Sequence, residues 1–267
     1  MRKPFVVGLS ILSMLSVALG SAGNAWAACQ NVATVDFVGQ VCSETNAEQR
    51  TGRWIVDDGG IFEGTATAVT NADGSQQVDK QGTLRTLSYD GTLYRSESKS
   101  ATGTKTSASQ FVGDEKLPSG VLNGTTTLVI NPDGSHRLDK QGTLRSASFD
   151  GKLYRSESKS ATGAKTIGEQ LSGKEALASG GTFDGTSTLV VNPDGSHRLD
   201  KQGTLRSASF DGKLYRSESK SATGAKTIGE QLSGTWIIAP DYKLTGTYTI
   251  VYNPNGTVSV TDGRRRR

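Results

Sequence analysis

Apolar residues along this chain recur at short intervals and never form a helical stripe. Thr, Val, Leu, Ile and Tyr fill short runs, and turn-forming pairs interrupt them about every 15 residues. The interruptions fall at Asp58-Gly59, Asp73-Gly74, Asp90-Gly91, Thr102-Gly103, Pro118-Ser119, Asp133-Gly134, Asp150-Gly151, Thr162-Gly163 and onward to Asn255-Gly256. Asp-Gly supplies the positive φ that tight hairpins need, and Asn-Pro-Asp-Gly suits a type I turn closed by a glycine bulge. The pattern predicts strands of about 8 to 12 residues, roughly 14 to 16 in all, joined mostly by hairpins. The fold class is all-β.

The pattern also repeats. NPDGSHRLDKQGTLRSASFDGKLYRSESKSATGAKTIGEQLSG begins at Asn131 and again, unchanged, at Asn192. DKQGTLR starts at Asp79, Asp139 and Asp200, a period of 60 and then 61 residues. At the ends, TGRWIVDDGGIFEGTATAVTNADGS from Thr51 aligns with SGTWIIAPDYKLTGTYTIVYNPNGT from Ser233. The expected organisation is a signal peptide (residues 1–27), a disulfide-tied arm (28–50) and repeats over 51–112, 113–172 and 173–233. A half repeat (234–263) and an arginine tail (264–267) follow. Four antiparallel strands per repeat give an elongated meander sheet; a four-bladed, propeller-like closure is the alternative.

A two-residue loop at Asp150-Gly151 would pair Phe149 with Lys152 and put Phe149, Ala147 and Tyr154 on one face. Leu153, Arg155, Glu157 and Lys159 then share the other. Apolar residues gather near the turn, while the far end is polar on both sides, where Arg155, Glu157 and Lys159 can pair charges. No strand such as KLYRSESKSA offers lipid a continuous apolar face, which argues against a membrane barrel. Burial is instead expected between units, through Leu128, Ile130, Phe149 and Tyr154. Trp54 and Trp236, confined to the first and last units, are read as end caps; residues 114–117 and 174–177 stand there in the middle ones.

Charge alters little. The pI of 9.0 rests on Arg2, Lys3 and the four terminal arginines; removing those six from 30 cations leaves 24 against 26 acidic residues. Charges of both signs alternate, with none of the clustered cations and interleaved aromatics of a nucleic-acid face. The arginine tail reads as a solvated end. Arg2 and Lys3, the apolar residues 5–19 and Ala25-Trp26-Ala27 have the layout of a secretory signal peptide, with Ala28 the first mature residue. An apolar run of about 15 residues is short of the roughly 20 that span a bilayer. Cys29 and Cys42, the sole cysteines, are expected to form a disulfide. Export places the protein in the periplasm, at the cell surface or outside the cell.

No reactive constellation stands out. His136 and His197 are one position in two copies, where the first has Gln76. Asp133, Asp150, Asp194 and Asp211 sit at expected turns, and the dense acidic spacing of a calcium loop is missing. Catalytic, metal and cofactor-binding residues are therefore set at none. The expected function is a non-catalytic surface, matrix or fibre component that self-associates by strand pairing of its ends or meets a cell-surface partner. The alternative is a multivalent glycan- or ligand-binding module, with Tyr94, Tyr154 and Tyr215 stacking on the ligand, one per repeat.

Overall fold

The computed structural model describes residues 28–56 and 59–266. The expected signal peptide lies outside the described residues. One antiparallel sheet holds every described strand. It opens with β1 (Ala28–Ala33), β2 (Phe37–Ser43), β3 (Ala47–Ile55), β4 (Ile61–Thr70) and β5 (Gln76–Arg85). Next come β6 (Tyr89–Lys99), β7 (Lys105–Leu117), β8 (Gly120–Ile130) and β9 (His136–Arg145). Then follow β10 (Phe149–Lys159), β11 (Lys165–Ala176), β12 (Thr182–Val191) and β13 (His197–Arg206). The last are β14 (Phe210–Lys220), β15 (Lys226–Ala239), β16 (Tyr242–Tyr252), β17 (Val258–Asp262) and β18 (Arg265–Arg266). Each strand from β1 to β16 pairs with the next, and β18 pairs with β16 beside β17. The ladder runs unbroken across the repeat boundaries, which fall inside β7, β11 and β15, each paired on both sides. It does not close on itself, so the sheet is an open meander and not a propeller.

Two kinds of hairpin recur. At Asn131-Pro132-Asp133-Gly134-Ser135 the Gly134 amide donates to Asn131 O (3.0 Å) and the Asn131 amide to Ser135 O (2.8 Å). Gly134 has φ 80°, the expected type I turn with a glycine bulge. The second kind overturns an expectation. Asp90-Gly91, Asp150-Gly151 and Asp211-Gly212 are strand interior, and the turn beside Phe149 is Ala147-Ser148. The Ser146 amide donates to Phe149 O (2.8 Å), while Ser146 Oγ accepts from the Phe149 amide (2.9 Å). Asp150 consequently faces Arg145, and Tyr154 faces Gln141. Phe149, Gly151, Leu153, Arg155 and Glu157 share one face, and Tyr154 lies on the other.

Glycine has a different use in these strands. Gly91, Gly113, Gly124 and Gly142 stand in register across β6 to β9, and Gly151, Gly173, Gly185 and Gly203 across β10 to β13. A Cβ on Gly142 would lie 2.3 Å from the carbonyl oxygen of Asn123 and 2.7 Å from the Gly124 Cα. Backbones approach too closely for any side chain. The sheet bends along each row, because residues on either side of it meet. Glu115 is in register with Leu122, yet accepts a 2.6 Å hydrogen bond from the Thr126 hydroxyl four residues further along β8. On a straight strand those positions are about 13 Å apart.

Bending gives a single sheet an inside. Phe37, Phe62, Phe111, Leu122, Leu144, Leu153, Phe183, Phe210 and Leu214 all project from the inner face and are buried. Leu122, Leu144 and Leu153 form a core cluster, with Leu117, Phe149 and Leu171 against it. The ring of Phe149 lies over Gly151, and that of Phe183 over Gly185 and Gly203, an aromatic cover for a row that lacks side chains. The expected burial of Ile130 and Tyr154 is not found: they are 39% and 43% exposed. Ile130 ends its strand, and Tyr154 points outward once the turn is placed correctly.

We expect Gly142→Ala to cost more than about 3 kcal/mol of stability, since its Cβ meets backbone that cannot move aside. Gly168→Ala, with nothing within 4 Å of the new methyl, should stay within about 0.5 kcal/mol of the parent. Urea unfolding of the two variants tests the bend; equal losses would remove its steric basis.

Candidate functional site

Four equivalent inner positions follow the glycine rows: Trp54, Glu115, Glu175 and Trp236. Each is in register with an aromatic, respectively Phe37, Tyr89, Phe149 and Phe210. In the outer two units rings pack against one another at a tilt. Phe37 and Trp54 have centroids 4.8 Å apart, Trp54 and Phe62 5.2 Å, and Phe210 and Trp236 4.9 Å. In the middle units a carboxylate replaces the indole and draws in a lysine. Glu115, only 4% exposed, is ion-paired with Lys140 and accepts from the Thr126 and Tyr89 hydroxyls. Burial, and then the Glu115 charge, push the Tyr89 phenol up. Glu175 pairs with Lys201 at 3.0 Å.

Between β9 and β13 the inner face forms an open trough of ≈ 600 Å³. Leu138, Leu144, Leu153, Leu171, Phe183 and Leu199 line it, beside Lys140, Arg155, Glu169, Glu175 and Lys201. Every one of these charges already has an opposite partner. Arg155 bridges Glu157 (3.0 Å) and Glu169 (2.8 Å), and Lys165 adds a 2.6 Å contact to Glu157. The expected third member of that cluster, Lys159, is replaced by Lys165 from the facing strand. The hydrogen bond from Lys165, joined by that from Arg155, holds the Glu157 carboxyl below its usual range despite partial burial. The Glu115–Lys140 and Glu175–Lys201 pairs join strands on either side of the bend.

The outer face carries the tyrosines. Tyr94, Tyr154 and Tyr215 are 42%, 43% and 47% exposed and stand four strands apart, so they are not gathered into one site. Each lies between two glutamines in register: Gln81 and Gln110, Gln141 and Gln170, Gln202 and Gln231. Cys42 takes the tyrosine's place in the N-terminal arm. It is disulfide-bonded to Cys29 directly across β1 and β2, with Cα atoms 4.0 Å apart. His136 and His197 open β9 and β13, in register with Ile130 and Val191. Among the described residues, no group of three or more His, Cys, Asp or Glu could hold a metal ion.

Two features were legible in the sequence but not read there. Thr34-Val-Asp-Phe37-Val-Gly39, Thr86-Leu-Ser-Tyr89-Asp-Gly91 and Ser146-Ala-Ser-Phe149-Asp-Gly151 are one hydroxyl–x–x–aromatic–x–glycine motif, found again from Ser207. The supposed leader arm therefore already contains the start of a unit. The second is the arginine tail. Arg265 and Arg266 pair with Thr245 and Leu244, and the Arg264 guanidinium sits 5.1 Å from the Trp236 ring and 4.7 Å from that of Tyr248. Asp262 anchors it through both carboxylate oxygens. Hydrogen bonds from the Arg264 side chain, and then its amide, bring the Asp262 carboxyl down to about 2.

No family profile matches this chain, and neither does any curated protein or solved structure.

Lys140→Met should destabilise by about 3 to 5 kcal/mol, because Glu115 is left buried without a counter-charge. Lys80→Met, at the equivalent but exposed position of the first repeat, should change stability by about 0.5 kcal/mol or less. Chemical denaturation of both measures the difference. The Asp262 clamp makes a separate prediction. Its carboxyl titrates lower when folded than the ordinary 3.8, so its contribution is present above that pH and lost as the pH falls through about 2. Trp236 emission in a Trp54→Phe background should shift over that window, and Asp262→Asn should abolish the shift.

Proposed function

We propose that this is a secreted, non-catalytic β-repeat protein whose sheet serves as an extended surface or matrix component and joins to further copies through its edges. The carrying observation is the open sheet. Among the described residues, β1 pairs only with β2 and β17 only with β16. Soluble proteins usually blunt such edges with lysine, proline or bulges. β1 reads ACQNVA and β17 reads VSVTD, with one charge between them. Val258 and Val260 are 51% and 53% exposed.

Direction constrains the assembly. Seventeen consecutive antiparallel strands leave β1 and β17 running the same way. Antiparallel continuation with the inner faces on one side therefore joins like to like, β17 to β17 and β1 to β1, about two-fold axes normal to the sheet. Such an axis keeps the inner face of both copies on the same side. Alternation of the two junctions generates a filament, and use of one alone gives a dimer. The cystine fits an oxidising compartment, and no described helix is long and apolar enough to cross a membrane.

The mature protein should sediment as dimers or longer particles. Val258→Lys with Val260→Lys should shorten these particles, to single chains or to pairs joined through β1, with unchanged circular dichroism. Monomeric parent protein at high concentration, or assembly indifferent to the two lysines, would discard β17 pairing.

A further inference from the structure

The outer face holds a continuous uncharged track that no single repeat reveals. In register across β8 to β12 stand Thr125, Gln141, Tyr154, Gln170 and Thr188. The same order recurs around Tyr94, from Thr65 to Thr127, and around Tyr215, from Thr186 to Thr249. The rows join, because Thr127 of one and Thr125 of the next are two residues apart on β8, as Thr188 and Thr186 are on β12. Thirteen strands are crossed, about 58 Å at the usual strand spacing. We propose that this track binds a neutral, hydroxyl-rich polysaccharide lying across the strands, with the three tyrosines as stacking platforms.

The chemistry selects the ligand. Glutamine amides both donate and accept, threonine hydroxyls do the same, and an exposed phenol ring offers an apolar face. The amides of Gln81, Gln110, Gln141, Gln170 and Gln202 make no side-chain hydrogen bond within the described residues, and neither do the three phenols. Charged residues are 21% of the chain, yet none occupies the track. A polyanion would need cations there, so nucleic acid and acidic glycans do not fit.

Strand propensity alone does not produce the pattern. It favours Thr and Tyr but not Gln, and Gln flanks each tyrosine on both sides. The first repeat differs from the others around it: Ser107-Ala108-Ser109-Gln110-Phe111 stands where Ile167-Gly168-Glu169-Gln170-Leu171 does, and only the glutamine is kept. The track also runs on the outside of the bend, since Gln141 and Gln202 directly precede Gly142 and Gly203. Three equivalent platforms, each weak, add by effective concentration along one polymer.

Affinity electrophoresis in gels containing laminarin, dextran, galactomannan or alginate tests the proposal. The edge-blocked Val258→Lys, Val260→Lys protein is used, so that loss of end pairing cannot mimic loss of binding. Retardation is expected in at least one neutral gel and should be insensitive to salt. Tyr154→Ala should weaken it about tenfold, and the triple Tyr94→Ala, Tyr154→Ala, Tyr215→Ala variant should migrate as in the empty gel. These rings are exposed, so circular dichroism should not change. No retardation in any neutral gel, retardation that survives the triple substitution, or retardation by alginate alone that salt abolishes would each overturn it.

Discussion

The structure depends on backbone meeting backbone along the glycine rows. A lone sheet has two solvated faces and no core, and would not be expected to hold a long polar chain in one shape. Four glycines abreast let the sheet fold about a line, and the aromatic two residues before a glycine closes over it. Burial of Phe111, Leu122, Leu144 and Leu153 follows from that crease, without a second layer of strands. The hydrophobic term is thus organised by residues that have no side chains.

What fills the crease differs along the molecule. In the first and last units an indole packs, tilted, between or beside aromatic rings. In the middle units a carboxylate and a lysine meet across the bend. Geometry brings the pair together; at Glu115 the pair then makes the bend specific, since that carboxylate without Lys140 would be left charged and buried. At the C-terminal edge, where an open sheet would expose Trp236, Arg264 covers the ring and Asp262 fixes Arg264. The tryptophans and this clamp lie where the edge-pairing reading needs a well-formed terminal strand.

The two faces have separate uses in this picture. The inner face carries the paired charges and the apolar cluster, and its trough is occupied with holding the sheet bent. The outer face carries the Gln–Tyr–Gln rows, in which Gln81, Gln110, Gln141, Gln170, Gln202 and the three phenols make no side-chain hydrogen bond within the described residues. Function is accordingly sought on the outer face and at the edges, and not in a pocket.

Composition, turn chemistry and the 60-residue period determined a good deal alone: all-β structure, four strands per unit, the NPDGS turns and the Cys29–Cys42 bridge. These are local properties, or counts of what is absent. The role of Asp-Gly was not local. The same dipeptide makes a turn at Asp133-Gly134, where positive φ is required, and a strand interior at Asp150-Gly151, where a neighbouring backbone lies too near for a Cβ. Only pairing with β11 decides between them, and that choice sets which side of the sheet Tyr154 occupies. The Gln–Tyr–Gln rows likewise join residues from three strands, far apart in the chain and aligned only by the register of their ladders. Sequence determined the module; register across strands decided which face holds the core and which is left for a partner.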